Sequence, residues 1–229
     1  MKIGVIVPME EEIKLIRESL EDVKKDTIAG REITQGKYNG HELYLALCGI
    51  GKVQAGMTAT IINDKFNPDV LINTGSAGGI GTGLSIGDVV ISSKLAYHDA
   101  DATAFGYALG QLPDQPLYFE ADDSYVKKIE QAAVASNLNY HTGLIVTGDQ
   151  FIDSSEKIDK IKKMFPDVLA SEMEGAAVAQ VCTQFKTPFV VIRAMSDVGD
   201  ENADVNFDEF VIQAGKNSVQ MLLNFLDRE

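Results

Sequence analysis

The sequence predicts one α/β domain whose sheet is covered by helices on both faces, and three observations lead there. Short apolar runs rich in Val and Ile alternate with segments of helical periodicity along the chain. Many of these runs are continuously apolar rather than alternating, as strands are when both faces are covered. The 229 residues also carry no Pro/Ser-rich linker, composition break, internal repeat or low-complexity tract, so a single domain spans 1–229.

The elements follow in order. Ile3–Val7 is a β-branched run stopped by Pro8, a buried strand. Ile13, Ile16 and Leu20 then fall at helical spacing, with Glu10, Glu11 and Glu12 in the first turn, where acids complement the helix dipole. Glu42–Cys48 predicts the next strand, ending at Gly49-Ile50-Gly51, and Ala55, Ala59 and Ile62 mark the helix behind it. Asp69–Thr74 is a strand that empties into Gly75-Ser76-Ala77-Gly78-Gly79-Ile80-Gly81, and Asp88–Ser92 is another. Residues 99–120 mix Asp, Gly, Pro and aromatics without a period, a long loop of the kind that serves function or an interface. Tyr125–Ser136 predicts a helix, His141–Thr147 a strand and Ser155–Met164 a helix. Val168–Ala170 is short and extended, and leads into a helix of small residues from Glu174. Pro188–Ala194 is a strand, Ser196–Val205 an acidic loop, and Phe207–Leu226 a final amphipathic helix.

Charge excludes some partners. Lys and Arg number 20 against 34 Asp and Glu, a formal net of −14, so a nucleic acid or an anionic membrane surface would be repelled. Hydrophobic residues at 45% and charged residues at 24% are ordinary for a globular protein. Cys48 and Cys182 lie inside apolar segments and read as small buried hydrophobes in a reducing compartment. The start, MKIGVIVPMEEE, is too short in its apolar run for a signal peptide, and no stretch approaches the roughly 18 residues of a membrane span. A cytoplasmic protein is expected.

Several familiar signatures fail. Gly79, Gly81 and Gly83 lack the third glycine of a dinucleotide fingerprint, and Gly51-Lys52 is followed by Val53 rather than Ser or Thr. The glycine run is then either a tight strand-to-loop turn needing positive φ or a backbone approach to a small ligand, with Ser76 offering a hydroxyl. His41, His98 and His141 stand far apart with no paired cysteines, which gives no case for a metal. A nucleophile-elbow serine is also absent.

Carboxylates carry more information. Glu12 follows the first strand, Glu174 the short extended segment and Asp197 the strand through Ala194, so three acids stand at carboxyl ends of strands. Each has an alternative use, Glu12 and Glu174 as first-turn helix charges and Asp197 as a cap or turn residue. Ligands of open α/β sheets nonetheless bind outside those ends. Arg193 lies close enough in sequence to neutralise or orient one acid. Phe151, after Gly148-Asp149-Gln150, adds an aromatic surface for a planar ligand at another strand end.

Six segments now converge: Ile3–Glu12 (IGVIVPMEEE), Asn73–Gly79 (NTGSAGG), Tyr97–Ala104 (YHDADATA), Thr147–Ile152 (TGDQFI), Glu172–Gly175 (EMEG) and Val190–Val198 (VVIRAMSDV). In this order and spacing the chain resembles, over essentially its whole length, the nucleoside phosphorylase/hydrolase family. Within that family it is similar to the bacterial 5′-methylthioadenosine/S-adenosylhomocysteine nucleosidases. The resemblance implies a central twisted mixed β-sheet flanked by helices, a homodimer, and hydrolysis of an adenine N-glycosidic bond without metal or organic cofactor. It implies that Asp197, protonated at the moment of cleavage and oriented by Ser196, donates to purine N7, while Glu12 activates water with help from Arg193 and Ser76. The two carboxyl groups then work as in inverting glycosidases. Glu174 is implied as acceptor for the ribose hydroxyls with Met173 packed on the sugar, and Phe151 as the stacking ring with the Ile152 backbone reading the base. Met9, Ile50 and Phe207 surround the sugar and its 5′ substituent, and Ala77, Gly78 and Glu172 join the substrate-binding set. Glu172 is either a ribose-site neighbour or a structural acid. Phe105 and Pro113 are implied at the partner subunit's 5′-alkylthio pocket. Ala102 and Ser171 stand where larger apolar residues are expected in close relatives, and Ala102 would loosen the 5′ pocket.

Two rival activities stay in view on the same fold: a phosphorylase, which needs cationic and N–H donors for phosphate, and a nucleosidase for another 6-substituted purine nucleoside. A non-catalytic nucleoside sensor would announce itself by loss of Glu12 or Asp197, and both are present.

Overall fold

A computed structural model describes residues 1–198 and 203–229. β1 (Lys2–Val7) leads through Pro8 into α1 (Glu10–Glu18), as the apolar run and the three glutamates predict. A hairpin that the sequence reading passed over follows: β2 (Glu21–Ile28) and β3 (Arg31–Tyr38), then β4 (His41–Leu47). Tight turns at Ala29-Gly30 and Asn39-Gly40 join them, with all four residues at positive φ, as two-residue hairpin turns require. After α2 (Lys52–Phe66) come β5 (Val70–Gly79) and β6 (Val89–Tyr97). The segment expected as one long loop holds a 3-10 turn at Thr103–Phe105 and the short β7 (Phe119–Glu120). α3 (Asp123–Ala135), β8 (Tyr140–Thr147), α4 (Ser155–Met164), β9 (Val168–Glu172) and α5 (Gly175–Phe185) match their predicted segments within a few residues. β10 (Phe189–Asp197) runs on through Ser196 and Asp197, and α6 (Ala203–Leu226) starts before Phe207. The expected acidic loop at Ser196–Val205 is therefore strand at its start and helix at its end, while its centre, 199–202, lies outside the described residues.

The strands form one mixed sheet with an unexpected closure. β5 pairs parallel with β10, β10 antiparallel with β6, β6 parallel with β8, β8 parallel with β9, and β9 antiparallel with β5 at Gly78–Ser171 and Gly79–Ala170. Those five strands make a closed ring, and β1, β4, β3 and β2 extend it from β5 as a twisted wing. Inside, Ile3, Val5, Val70, Ile72, Val90, Ile145, Val190 and Ile192 are fully buried, each contributing about 2 kcal/mol by leaving water. α6 lies along β10 and β5, and α2 lies against α5. Both cysteines are buried and unbridged. No helix among the described residues is long and apolar enough to cross a membrane.

The glycine run corrects one reading. Gly75, Gly78 and Gly79 belong to β5 and do not have positive φ; their value is the missing Cβ. A Cβ at Gly75 would stand 2.7 Å from Arg193 Nη1, and one at Gly78 would stand 2.9 Å from Asp197 Oδ1. The strand is stripped of side chains where two charged groups of β10 cross it.

Candidate active site

A cavity of about 460 Å³ opens where β1, β8, β9 and β10 end and β5 carries its glycines. That volume suits a small organic ligand. Pro8 and Met9 line it from the β1–α1 turn, Ser76, Ala77 and Gly78 from β5, and Ser196 and Asp197 from β10. Glu172, Met173 and Glu174 close another side, Phe151 and Ile152 a third, and Ile50 and Phe207 complete the wall. Every cavity residue expected within one protomer is thus brought together, except that Glu12 and Arg193 stand fully buried behind the surface. Pro8 and Gln150, inside the segments Ile3–Glu12 and Thr147–Ile152, and Ser171, just before Glu172–Gly175, also line the cavity without having been expected as ligand-binding residues.

Glu12 sits in the first turn of α1 and serves two purposes there. Its Oε2 accepts from the Met9 N–H at 3.2 Å, capping the helix, and its Oε1 accepts from the Ser76 N–H at 2.9 Å. Gly215 on α6 leaves it room, since a Cβ there would come within 3.0 Å of Glu12 Cγ. Burial pushes its pKa up to about 7, against the pull of Arg193 and of the two N–H donors. A carboxyl group so poised can gain or lose a proton near neutrality.

Behind the adjacent wall lies a buried charge cluster. Arg193 donates from Nε to Glu172 Oε2 at 3.2 Å and pairs with the same oxygen through Nη2. Nη2 also donates to Asn73 Oδ1 at 2.7 Å and stands 3.5 Å from Glu174 Oε2. Burial opposes the guanidinium charge, but Glu172, Glu174 and Glu12 hold it firmly protonated.

Both carboxylate oxygens of Glu172 accept hydrogen bonds from within the protein. Its Oε2 accepts from the N–H groups of Glu174 (3.0 Å) and Gly175 (2.7 Å), capping α5, and its Oε1 accepts from Thr147 Oγ1. Oε1 of Glu174 accepts from the Gly51 N–H at 2.8 Å, while Oε2, among the described residues, has only the longer approach to Arg193. Burial and the neighbouring Glu172 charge raise its pKa to about 7, opposed by Arg193 and the Gly51 N–H. The small residues of α5 permit this closeness, since a Cβ on Gly175 would stand 2.7 Å from Leu95 Cδ2.

Asp197 closes β10 and is 2% exposed, with Ser196 Oγ donating to its Oδ2 at 2.9 Å. Across the cavity the Phe151 and Phe207 rings meet edge to face, 5.8 Å apart at 81°. Phe151 is 40% and Ile50 58% exposed, so both mark the opening, whereas Ile152 is buried. Phe105, 81% exposed, and Pro113, also exposed, lie on the 99–120 segment and take no part in this protomer's cavity. Ser171 lines the cavity, and its buried Oγ has no hydrogen-bond partner among the described residues.

This arrangement agrees with what the chain is similar to. A profile of the phosphorylase superfamily matches residues 2–227. A curated 5′-methylthioadenosine/S-adenosylhomocysteine nucleosidase of Lysinibacillus sphaericus is 48% identical over 224 residues, 97% of either chain. The chain belongs to the methylthioadenosine/S-adenosylhomocysteine nucleosidase family. Solved structures of such nucleosidases superpose closely. The S-adenosylhomocysteine nucleosidase of Streptococcus pyogenes, in complex with 5-methylthiotubericidin, gives a TM-score of 0.97 at 46% identity, covering 100% of this chain and 97% of that one. The Streptococcus pneumoniae nucleosidase with the transition-state inhibitor MT-ImmA gives 0.95 at 48% identity, covering 99% of both. This nucleosidase-family chain is an N-glycosyl hydrolase. Such a reaction builds positive charge on the sugar and negative charge on the departing base, so its cavity needs acidic groups in different protonation states. Acids held separately by β1–α1, β9–α5 and β10 stand at or directly behind that cavity.

Proposed function

We propose that this chain hydrolyses the N-glycosidic bond of 5′-methylthioadenosine and S-adenosylhomocysteine, and also of 5′-deoxyadenosine, releasing adenine and the 5-substituted ribose. One observation carries the reading: two buried carboxyl groups, Glu12 and Asp197, are held from separate elements at one cavity, where a further acid, Glu174, has an oxygen to offer. Asp197, oriented by Ser196, donates its proton to adenine N7 as the bond from C1′ to N9 breaks. Water adds to C1′ and yields a proton to Glu12, whose Oε1 lies one hydrogen bond from Ser76 at the cavity wall. The reaction consumes substrate and water and leaves Asp197 to be reprotonated. Arg193 holds Glu172 and Glu174 in place, and its charge favours the ionised Glu12. Glu174 binds the ribose hydroxyls, an acceptor-only group facing two donors. Met173 packs on the sugar, Phe151 stacks on the base, and Met9, Ile50 and Phe207 surround the 5′ substituent.

Hydrolysis is favoured over phosphorolysis because the cavity wall presents no Lys or Arg among the described residues. Incubation with methylthioadenosine, with and without phosphate, tests the choice. Free methylthioribose independent of phosphate supports the nucleosidase; methylthioribose-1-phosphate overturns it.

A homodimer belongs to the same reading, with Phe105 and Pro113 reaching the partner's 5′ pocket. A phenylalanine left 81% exposed supports it. Phe105→Ala is expected to raise KM for S-adenosylhomocysteine several-fold, about 1 kcal/mol of lost apolar contact, with a smaller effect on 5′-deoxyadenosine. An equal KM change for both substrates would count against the shared pocket.

A further inference from the structure

The turn after β6 and the start of α2 carry a polar linkage that the proposed chemistry does not use. Asp99 lies two residues beyond β6, and its Oδ2 accepts from Lys52 Nζ at 2.6 Å and from the Asp149 N–H at 2.9 Å. Asp149 Oδ1 in turn accepts from the Lys52 N–H at 2.8 Å. Lys52 is therefore bound at both ends, its backbone by the side chain of Asp149 and its side chain by Asp99, which also holds the Asp149 backbone. Around it the fit is close: Gly51 has φ +100°, and a Cβ there would stand 3.1 Å from Asp149 Oδ1. The Asp99 and Lys52 side chains are only 11% and 26% exposed, so water screens the pair incompletely. Against burial, the Lys52 ammonium and the Asp149 N–H hold the Asp99 carboxyl below its ordinary pKa.

The position of this linkage gives it a consequence. Asp149 is followed by Gln150, Phe151 and Ile152, the base side of the cavity, while Gly51, just before Lys52, gives its N–H to Glu174 on the ribose side. Two consecutive N–H groups at the start of α2 thus hold one carboxylate from each side. We propose that Asp99, through Lys52 and Asp149, is a positioning residue that fixes the base-binding segment 149–152 against the anchor of Glu174. This rests on the reading of the cavity as an adenine nucleoside site. The linkage joins two halves of the site that the sheet supplies from different strands, so base binding orders the ribose acceptor and the reverse.

Calorimetric titration with adenine, alongside steady-state kinetics on methylthioadenosine, tests it in Asp99→Ala and Asp99→Asn. Loss of a charge-assisted hydrogen-bonded anchor predicts a rise of about tenfold in both adenine Kd and KM for Asp99→Ala, with kcat changed less than about threefold. Asp99→Asn keeps an acceptor oxygen for both donors and is expected to recover most of the binding, a rescue that general destabilisation would not give. If Asp99→Ala does not fold, Lys52→Met carries the same test, because it keeps the backbone donor and removes the ammonium. Adenine binding within about twofold of the parent, or a fall in kcat with Kd unchanged, overturns the proposal. A parent protein that neither binds adenine nor turns over the nucleoside would overturn the functional reading instead.

Discussion

Asp197→Asn is expected to lower kcat by about 10³-fold while adenine and methylthioadenosine still bind, because a general acid typically supplies 10²–10⁴. The substitution is nearly isosteric. Ser196 Oγ at 2.9 Å can still donate to the amide oxygen, and the space left by Gly78 accepts the amide as it accepts the carboxyl. What vanishes is the proton that N7 must receive as the bond to the sugar breaks. A binding pocket intact with chemistry abolished is the signature of an interaction made only in the transition state. Single-turnover measurement separates the two: near-parent kcat in Asp197→Asn would remove the residue from its role. Gly78→Ala would be a poorer probe, since its Cβ would push the carboxyl as well as disturb β5.

Much of this site was legible in the sequence because its residues stand where strands end. Glu12 and Asp197 follow apolar runs whose β-branched composition is a strand signal, as does Phe151, and Glu174 follows the short extended segment from Val168. The helix of small residues after Glu174 stood out in composition, and a Cβ on Gly175 would meet the Leu95 side chain at 2.7 Å. The β2–β3 hairpin escaped for a physical reason. Glu21-Asp22-Val23-Lys24-Lys25-Asp26-Thr27 is exposed throughout at the sheet edge, so it buries no face that would impose alternation. Asn39-Gly40, the two-residue turn between β3 and β4 with both φ positive, was the available signal for β3. The glycines of β5 were open to misreading because a missing Cβ serves clearance as well as positive φ, and only the crossing of β10 shows which. Closure of the ring was equally hidden, since pairing of β9 with β5 rests on two register positions between strands distant in sequence. The cluster of Glu172, Glu174 and Arg193 was visible as composition, but its division of labour depends on which N–H groups each oxygen meets.

Glu12→Gln is expected to reduce kcat by about 10²–10⁴-fold, and its pH behaviour separates a proton acceptor from a helix cap. With the Glu12 pKa raised to about 7, the ionised form that takes the water's proton appears only as pH rises through neutrality. Parent kcat/KM should therefore fall on the acid side of about pH 7, more steeply than one group allows, because Glu174 is also placed at about 7. Glu12→Gln should lose the Glu12 component of that limb along with turnover, whereas Glu174→Gln should keep a shallower one. Stability must move the opposite way. A carboxyl whose folded pKa lies above the unfolded 4.5 favours the folded state when protonated, and that contribution is lost as pH rises from about 4.5 through about 7. Between pH 5 and pH 8, the parent should lose thermal stability relative to Glu12→Gln, even though the amide matches the paired N–H donors of Met9 and Ser76 less well. A Tm difference that stays constant across that range would mean that Glu12 is ionised throughout. A variant that hydrolyses methylthioadenosine at the parent rate would leave Glu12 as the cap of α1 and nothing more.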